Sequence, residues 1–563
     1  MGEVQGKRCL GSIYARVLGP LTVLVLSLAV AQTEQELLNP PASEWPTYGR
    51  NLEMHRYSPL TQINTANVSR LRLVWSRSLG FRTDAQFSPV VYRGIMYIPG
   101  PDRVVALNAT NGELVWEYKV KLNERTASIA ATRNRGAVVV FDGKVYHALG
   151  DGRVVALDAR TGKEVWSTQV TKIDLGEGFS SGPIFAGGKI IVGPSGADIG
   201  GVNGRIVALD PQNGRILWTF NTIPQPGEPG FETWDPPTAA QWGGGSAWNV
   251  GAYDPVTRTV IYGVGQPIPW VAKGFRRGDN LYTASWVALD VDTGKLRWYY
   301  QIVPNDEWDL DQIATPIITD LRVDGQTRRV ALLPTTTGFL LLLDVRTGQL
   351  IKWYQMMPEV TVHKGFTADG KPIIDDTFRY QQVGEKKLVC PFRWVNWEPG
   401  AFSPETGLYY RPNTYDCVYL RNDPPPADWR PGQNPINAES EYLPDRFNRY
   451  GALSAIDPTT GKVVWEFGYG YRNFSGPVVT AGGVVFSGFM DRVFRAFNAR
   501  TGEVLWQQVL PAYMQTDAIT YMVQGKQYVA AVAGGAGALF PHRQTGLPAP
   551  VEGEVTVFVF ALP

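Results

Sequence analysis

Ala156-Leu157-Asp158-Ala159-Arg160-Thr161-Gly162-Lys163-Glu164-Val165-Trp166 is one copy of a pattern that runs the length of the chain. A small apolar residue, Leu and Asp close one strand. Thr-Gly then supplies the positive φ that a tight hairpin turn requires, and the return strand places a Trp at a fixed point. The same arrangement leads from Ala106-Leu107-Asn108 to Trp116, from Ala208-Leu209-Asp210 to Trp218 and from Ala288-Leu289-Asp290 to Trp298. It recurs from Ile456-Asp457 to Trp465 and from Phe497-Asn498 to Trp506, always with the Trp eight residues after the Asp or Asn. Two copies are degenerate: Leu343-Asp344 reaches Trp353 one residue late, and Ser403-Pro404-Glu405-Thr406-Gly407 ends in Tyr409-Tyr410.

Repetition on this scale decides the architecture before any reactive residue is considered. Successive tryptophans stand 50, 52, 80, 55, 112 and 41 residues apart, which leaves room for four-stranded units with insertions. The 112-residue interval holds the Tyr409 copy and reads as two units. A four-stranded sheet is too small to bury both faces alone, so such sheets pack radially. A Trp on the outer strand can wedge between neighbours, burying about 150–250 Å² per ring. The expectation is an all-β, eight-bladed β-propeller with Trp-docking repeats, Trp75 supplying an extra strand for ring closure. Seven blades is the alternative. The repeat tryptophans read as packing residues, not ligand contacts.

A closed ring of repeats is one domain, even at 563 residues. Sixty Gly and 41 Pro fit many turns, and 12% aromatic content excludes a disordered chain. A net charge of +1 without a Lys/Arg cluster excludes a general nucleic-acid binder. Lys7, Arg8 and Arg16 flank the apolar run 17–30, and Ala29-Val30-Ala31 offers a small-residue cleavage site. That pattern predicts a signal peptide at 1–31, a mature domain at 32–563 and a periplasmic location, with an uncleaved membrane anchor as the alternative. Cleavage removes Cys9 and leaves Cys390 and Cys417, which read as one disulfide in an exported protein. There is no Cys-x-x-Cys-His, so no attached c-type haem is indicated.

The stretch from Trp242 to Asp311 carries motifs beyond the repeat. They are Gly243-Gly244-Gly245-Ser246-Ala247-Trp248, Ala252-Tyr253-Asp254-Pro255, Gly263-Val264-Gly265-Gln266-Pro267-Ile268-Pro269-Trp270, Gly278-Asp279-Asn280 and Pro304-Asn305-Asp306-Glu307-Trp308-Asp309-Leu310-Asp311. In this order they closely resemble the quinoprotein alcohol dehydrogenases, the methanol dehydrogenase large-subunit family that uses pyrroloquinoline quinone (PQQ). The resemblance covers nearly the whole mature chain.

That resemblance implies a role for each matched residue. Asp309, ending Glu-Trp-Asp, matches the family's catalytic base. Asp198, in Ser195-Gly196-Ala197-Asp198, matches a position normally held by a metal-binding Glu. Gln266 matches a metal-binding Asn. One arm is a methylene shorter and the other a methylene longer, and both keep the oxygen donors that hard cations take. Asp311 resembles the lanthanide-dependent branch, because an added carboxylate favours a trivalent ion of calcium-like size. The implied metal set is Asp198, Gln266, Asp309 and Asp311, with a lanthanide first and calcium second. Without a cation these acids would repel one another strongly. For the cofactor, Trp248 matches the residue that stacks on PQQ, and Arg135 the one that pairs with a PQQ carboxylate as a bidentate fork. Ser180 matches a hydroxyl residue near another carboxylate, Ser195, Gly196 and Ala197 line the same side, and Asn396 matches an Asn that reaches the quinone. Cys390 and Cys417 match a disulfide found in relatives.

Three positions depart from the family pattern. Ile129-Ala130 replaces an adjacent Cys-Cys pair, Thr336 stands where a Lys or Arg contacts the quinone, and Gln86 replaces a Glu. The implied activity is oxidation of a primary alcohol to an aldehyde, with Asp309 as general base, a metal Lewis acid, and electrons passed to a soluble cytochrome c. The resemblance allows a homodimer. The alternative is a non-catalytic exported propeller scaffold, or a degenerate quinoprotein that binds PQQ weakly. The residues do not name the alcohol.

Overall fold

The computed structural model of the protein describes residues 32–122, 133–270, 275–423, 440–444, 449–536 and 548–563. The expected signal segment 1–31 and the Ile129-Ala130 pair lie outside the described residues. Eight sheets form the ring, each with four antiparallel strands; the seventh also takes Tyr57–Ser58, which pairs in parallel with Val478–Thr480. Blades 1 to 7 span residues 90–119, 139–169, 184–221, 252–301, 317–355, 401–469 and 478–509; blade 8 spans 519–561 and takes Arg72–Ser78 as its outer strand. The first strand of a blade lies innermost and is mostly buried, completely so at Ala252–Asp254. The last strand alternates, as at Glu164–Gln169, and lines the rim. Among the described residues no helix is long and apolar enough to cross a membrane.

The repeat consensus is explained by how neighbouring blades dock. The Asp folds the turn: Asp158 Oδ1 accepts from the Thr161 N–H (2.8 Å) and Oγ1 (2.7 Å), and Asp290 does the same for Thr293 (2.9 Å each). The glycine then offers a bare surface at positive φ. At Gly162 (φ 71°) a Cβ would lie 2.6 Å from the Trp116 ring of the preceding blade. The small residue before Leu-Asp sits opposite its own Trp, as Ala156 does with Trp166 and Ala288 with Trp298. Each indole N–H finishes the contact on a carbonyl of the next blade. Trp75 donates to Ala109 (3.3 Å), Trp116 to Ala159 (3.0 Å), Trp166 to Pro211 (3.0 Å), Trp218 to Val291 (3.0 Å), Trp298 to Val345 (2.8 Å) and Trp465 to Ala499 (2.9 Å). Trp506 instead packs edge-on against Phe560 of blade 8 at 5.2 Å.

Two readings of the repeat are corrected. The Tyr409 copy is not a separate unit: its turn joins Ala401–Ser403 to Leu408–Thr414, the first two strands of blade 6. The docking turn of that blade is the Asp457–Trp465 copy. The 112-residue interval therefore holds one blade swollen by insertions. Eight is still the count, because Trp75 lies in blade 8, where Arg72–Ser78 pairs with Gly553–Ala561. The second correction is at Trp353. Its one-residue delay turns it to the opposite face of its strand, since side chains alternate with period two. Tyr354 docks in its place, donating through its hydroxyl to Thr459 O. Trp353 is left 37% exposed, against Phe339 and Phe366.

The insertions before and within blade 6 form two small sheets, His363–Phe366 with Pro372–Ile374, and Lys386–Val389 with Cys417–Arg421 and Ser440–Leu443. A Cys390–Cys417 disulfide ties the second sheet to the loop that leads into blade 6, as the sequence predicts.

Candidate active site

The chain approaches each innermost strand through a short lead-in, and these lead-ins lie side by side at one end of the axis. Asp84–Phe87 pairs in parallel with Arg133–Gly136, setting Gln86 opposite Arg135. Arg135 bridges in turn to Ser181, Gly178 to Ser195, and Val264 to Gln312. Because every blade feeds this ring of lead-ins, residues hundreds apart in sequence meet there.

Aromatic rings form its floor. Trp248 is buried with Ile313, Trp397, Phe474, Met490 and Tyr513, and Trp397 stacks on Phe474 at 4.8 Å. The Arg135 guanidinium lies 4.4 Å over the Trp248 ring and 5.0 Å over Trp397. Its Nη1 donates to Ser180 Oγ at 3.1 Å. Burial and the neighbouring Arg133 pull the Arg135 pKa down to about 9, against Asp84, Asp198 and Asp311.

The acids stand beside the indole. Asp311 Oδ2 accepts from Trp248 Nε1 at 3.1 Å, and its Oδ1 accepts from the Gln266 N–H at 2.8 Å. The Gln266 carboxamide lies between this carboxylate and the Trp270 indole; with its NH2 turned to Asp311 Oδ1, its oxygen takes the Trp270 N–H at 2.7 Å. Trp270 Nε1 also approaches Asp198 O at 2.6 Å, and Asp198 Oδ1 accepts from Gly196 N (3.0 Å) and Ser246 Oγ (3.3 Å). Asp309 sits in the left-handed region (φ 63°) on a loop folded by Asp306, whose carboxylate takes the N–H groups of Trp308 (2.8 Å) and Leu310 (2.7 Å). One Asp309 oxygen pairs with Arg393, and Oδ1 is buried with no hydrogen-bond partner among the described residues. Burial above all holds the Asp309 carboxyl well above the usual range. Arg393 lowers it, and Asp311, Asp306 and Asp198 raise it. Asp311 is pushed to about 6, again mainly by burial.

The expected residues fall as follows. Asp311, Gln266 and Trp248 are in direct contact, and Arg135 and Ser180 are joined to one another over the same indole. Ser195 Oγ donates to Gly178 O (3.2 Å), Gly196 takes φ 104° and Ala197 is buried, so this turn presents Asp198. Asn396 is buried beside Trp397, its N–H on Glu398 Oε1 (2.9 Å) and its Oδ1 unpartnered among the described residues. The carboxylates of Asp198, Asp309 and Asp311 do not all come within 4.8 Å of one another. Thr336 keeps its hydroxyl on Gln312 Nε2 at 2.7 Å. Gln86 donates to Asp84 Oδ1 (2.9 Å) and Gln515 Oε1 (3.3 Å), and burial lifts Asp84 to about 6. Sequence reasoning missed Arg393, Asp84 and Tyr513, which belong to no motif and converge only through the ring of lead-ins.

The donor chemistry fits a hard cation and a polyanionic aromatic cofactor. Three carboxylates and a carboxamide provide only oxygen donors toward the ion. A half-turn of the Gln266 amide presents its oxygen beside Asp311, and Asp309 Oδ1 is already unpartnered. Indole faces, a buried guanidinium and the Asn396 carboxamide suit a flat ring system bearing carboxylates.

An eight-bladed ring with acids, a carboxamide and an arginine gathered around a buried indole defines a quinoprotein-type propeller. The family described as PQQ: glucose/ethanol/alcohol dehydrogenase, beta-propeller domain, matches residues 45–362 and 440–529. The chain is 35% identical to the quinohemoprotein alcohol dehydrogenase ADH-IIG of Pseudomonas putida, over 88% of this chain and 73% of that one. It is 34% identical to the lanthanide-dependent methanol dehydrogenase of Methylacidiphilum fumariolicum (strain SolV), over 95% of each. A solved europium-containing methanol dehydrogenase superposes with a TM-score of 0.88 at 33% identity, covering 94% of this chain and all of that one. The chain belongs to the PQQ-dependent alcohol dehydrogenase family.

Proposed function

We propose that this protein is a PQQ-dependent dehydrogenase that oxidises a primary alcohol to an aldehyde, with Asp309 as the general base. The observation that carries this reading is a buried carboxyl with one unpartnered oxygen, on a loop whose next acid, Asp311, is bonded to the Trp248 indole. When bound, PQQ supplies the hydride acceptor and the metal ion the Lewis acidity that polarises it.

The chain's own residues do the rest. Asp309 accepts the alcohol's hydroxyl proton, and burial makes it a stronger base than a solvated aspartate once ionised. Asp198, Gln266 and Asp311 hold the ion, with the added charge of Asp311 favouring a lanthanide over calcium. Trp248 fixes the plane of the cofactor, Arg135 and Ser180 take its carboxylates, and Asn396 reaches its polar edge. The enclosing aromatics exclude water. A scaffold has no use for this set of buried acids.

The sequence holds no Cys-x-x-Cys-His motif, so a soluble cytochrome c is proposed as acceptor, and the segment 1–31 as the signal for export to the periplasm. The test is reconstitution of the purified chain with PQQ and either lanthanum or calcium, followed by dye reduction across a series of primary alcohols. Turnover is expected with both ions, higher with lanthanum. No dye reduction with either ion contradicts the reading.

A further inference from the structure

The cationic contact expected at position 336 is absent there, yet the site does not lack a cation. Trp394 N–H donates to Thr336 O at 2.9 Å, so the loop before blade 6 lies directly against that position. From this loop Arg393 reaches the Asp309 carboxylate through Nη2 and approaches Asp309 O through Nε at 3.3 Å. Arg393 is held at φ 66°, a left-handed conformation that an arginine adopts at a cost, and it faces Asp309, itself at φ 63°. Strain of this kind persists where surrounding structure enforces it, and here the restraints are visible. Thr414 Oγ1 donates to Arg393 O, Phe392 N–H to Asp416 O (2.9 Å) and Thr414 N–H to Trp394 O (2.9 Å), while the Cys390–Cys417 disulfide closes the loop's base.

Resting on the dehydrogenase reading above, we propose that Arg393 is a positioning residue of the redox site, aiming the Asp309 carboxylate and supplying from a neighbouring loop the guanidinium charge that Thr336 lacks. Those restraints hold the loop where the Arg393 side chain enters the mouth of the ring and meets Asp309. The short side chain of Thr336, tied to Gln312, leaves that approach open.

Two variants test this. Arg393→Gly removes the charge and relieves the backbone, so it should fold with an unchanged or higher Tm. Its kcat for alcohol should fall about 100-fold, the scale for loss of one preorganised charged donor, with KM little changed. The Kd for PQQ, read in the metal-free chain by quenching of tryptophan fluorescence, should weaken about tenfold. Arg393→Lys should recover part of both, because it returns the charge without the fork. An Arg393→Gly protein with kcat and quinone affinity within about twofold of wild type overturns the proposal. Wild-type protein that shows no quenching by PQQ overturns the dehydrogenase reading instead, and the inference with it.

Discussion

The rim and the mouth of the ring belong to the same blades and solve opposite problems. At the rim six tryptophans meet a bare glycine and give their N–H to the next blade, among them Trp218 to Val291 at 3.0 Å and Trp298 to Val345 at 2.8 Å. At the mouth, Asp309 Oδ1, Asn396 Oδ1 and Arg135 Nε are buried with no hydrogen-bond partner among the described residues. Asp309 and Arg393 hold left-handed backbones there, and burial pushes Asp84, Asp306 and Asp311 to about 6. The rim satisfies its groups and so confers stability. The mouth leaves groups unsatisfied, which costs stability and is tolerable where a ligand completes them.

If that division holds, changes at the mouth should cost activity and changes at the rim should cost folding. The largest effect is expected from Asp309→Asn: turnover down by about 1000-fold, with PQQ still bound and Tm unchanged or raised, as buried acid is removed. Retained turnover would take Asp309 out of the base role. Next is Trp218→Ala at the rim. It should cost about 3–5 kcal/mol of stability, measured by denaturant unfolding, while kcat per folded molecule stays at the wild-type value. A fall in kcat at full folding would break the division.

Smaller effects sharpen the picture of the mouth. Asp311→Ala should lower lanthanide-supported turnover about tenfold more than calcium-supported turnover, since it removes one anionic oxygen donor; an unchanged preference would contradict that assignment. Cation binding should also depend on pH. Burial raises the Asp309 and Asp311 carboxyls, the latter to about 6, so below that pH an incoming ion must displace protons. Affinity for terbium, followed by its luminescence, should rise about tenfold per pH unit for each proton displaced, with the Asp311 contribution ending above about pH 6. An affinity flat across that range would mean the ion binds elsewhere. The smallest effect is expected at the rim's substitute contact: Tyr354→Phe removes one hydrogen bond to Thr459 O and should cost about 1 kcal/mol.

The rim was legible because each of its contacts joins equivalent positions of neighbouring repeats: the turn-closing Asp, the bare Gly and the Trp recur at fixed spacing. It misled at Tyr409, where Pro-Glu-Thr-Gly makes the same kind of turn between the wrong pair of strands, and at Trp353, where one extra residue reverses the face. The mouth was legible only where a run of residues carries a motif, as at Trp248 and Asp309. Arg393 could not be read in advance. The position that usually bears the charge is Thr336, and nothing in Phe392-Arg393-Trp394 indicates that its backbone lies against that threonine.

The arrangement at the mouth is tested most directly by anomalous scattering from crystals grown with PQQ and a lanthanide. Expected is one strong peak about 2.5 Å from oxygens of Asp198, Gln266, Asp309 and Asp311, with the quinone on Trp248. A peak away from these side chains, or none at full cofactor occupancy, would contradict it.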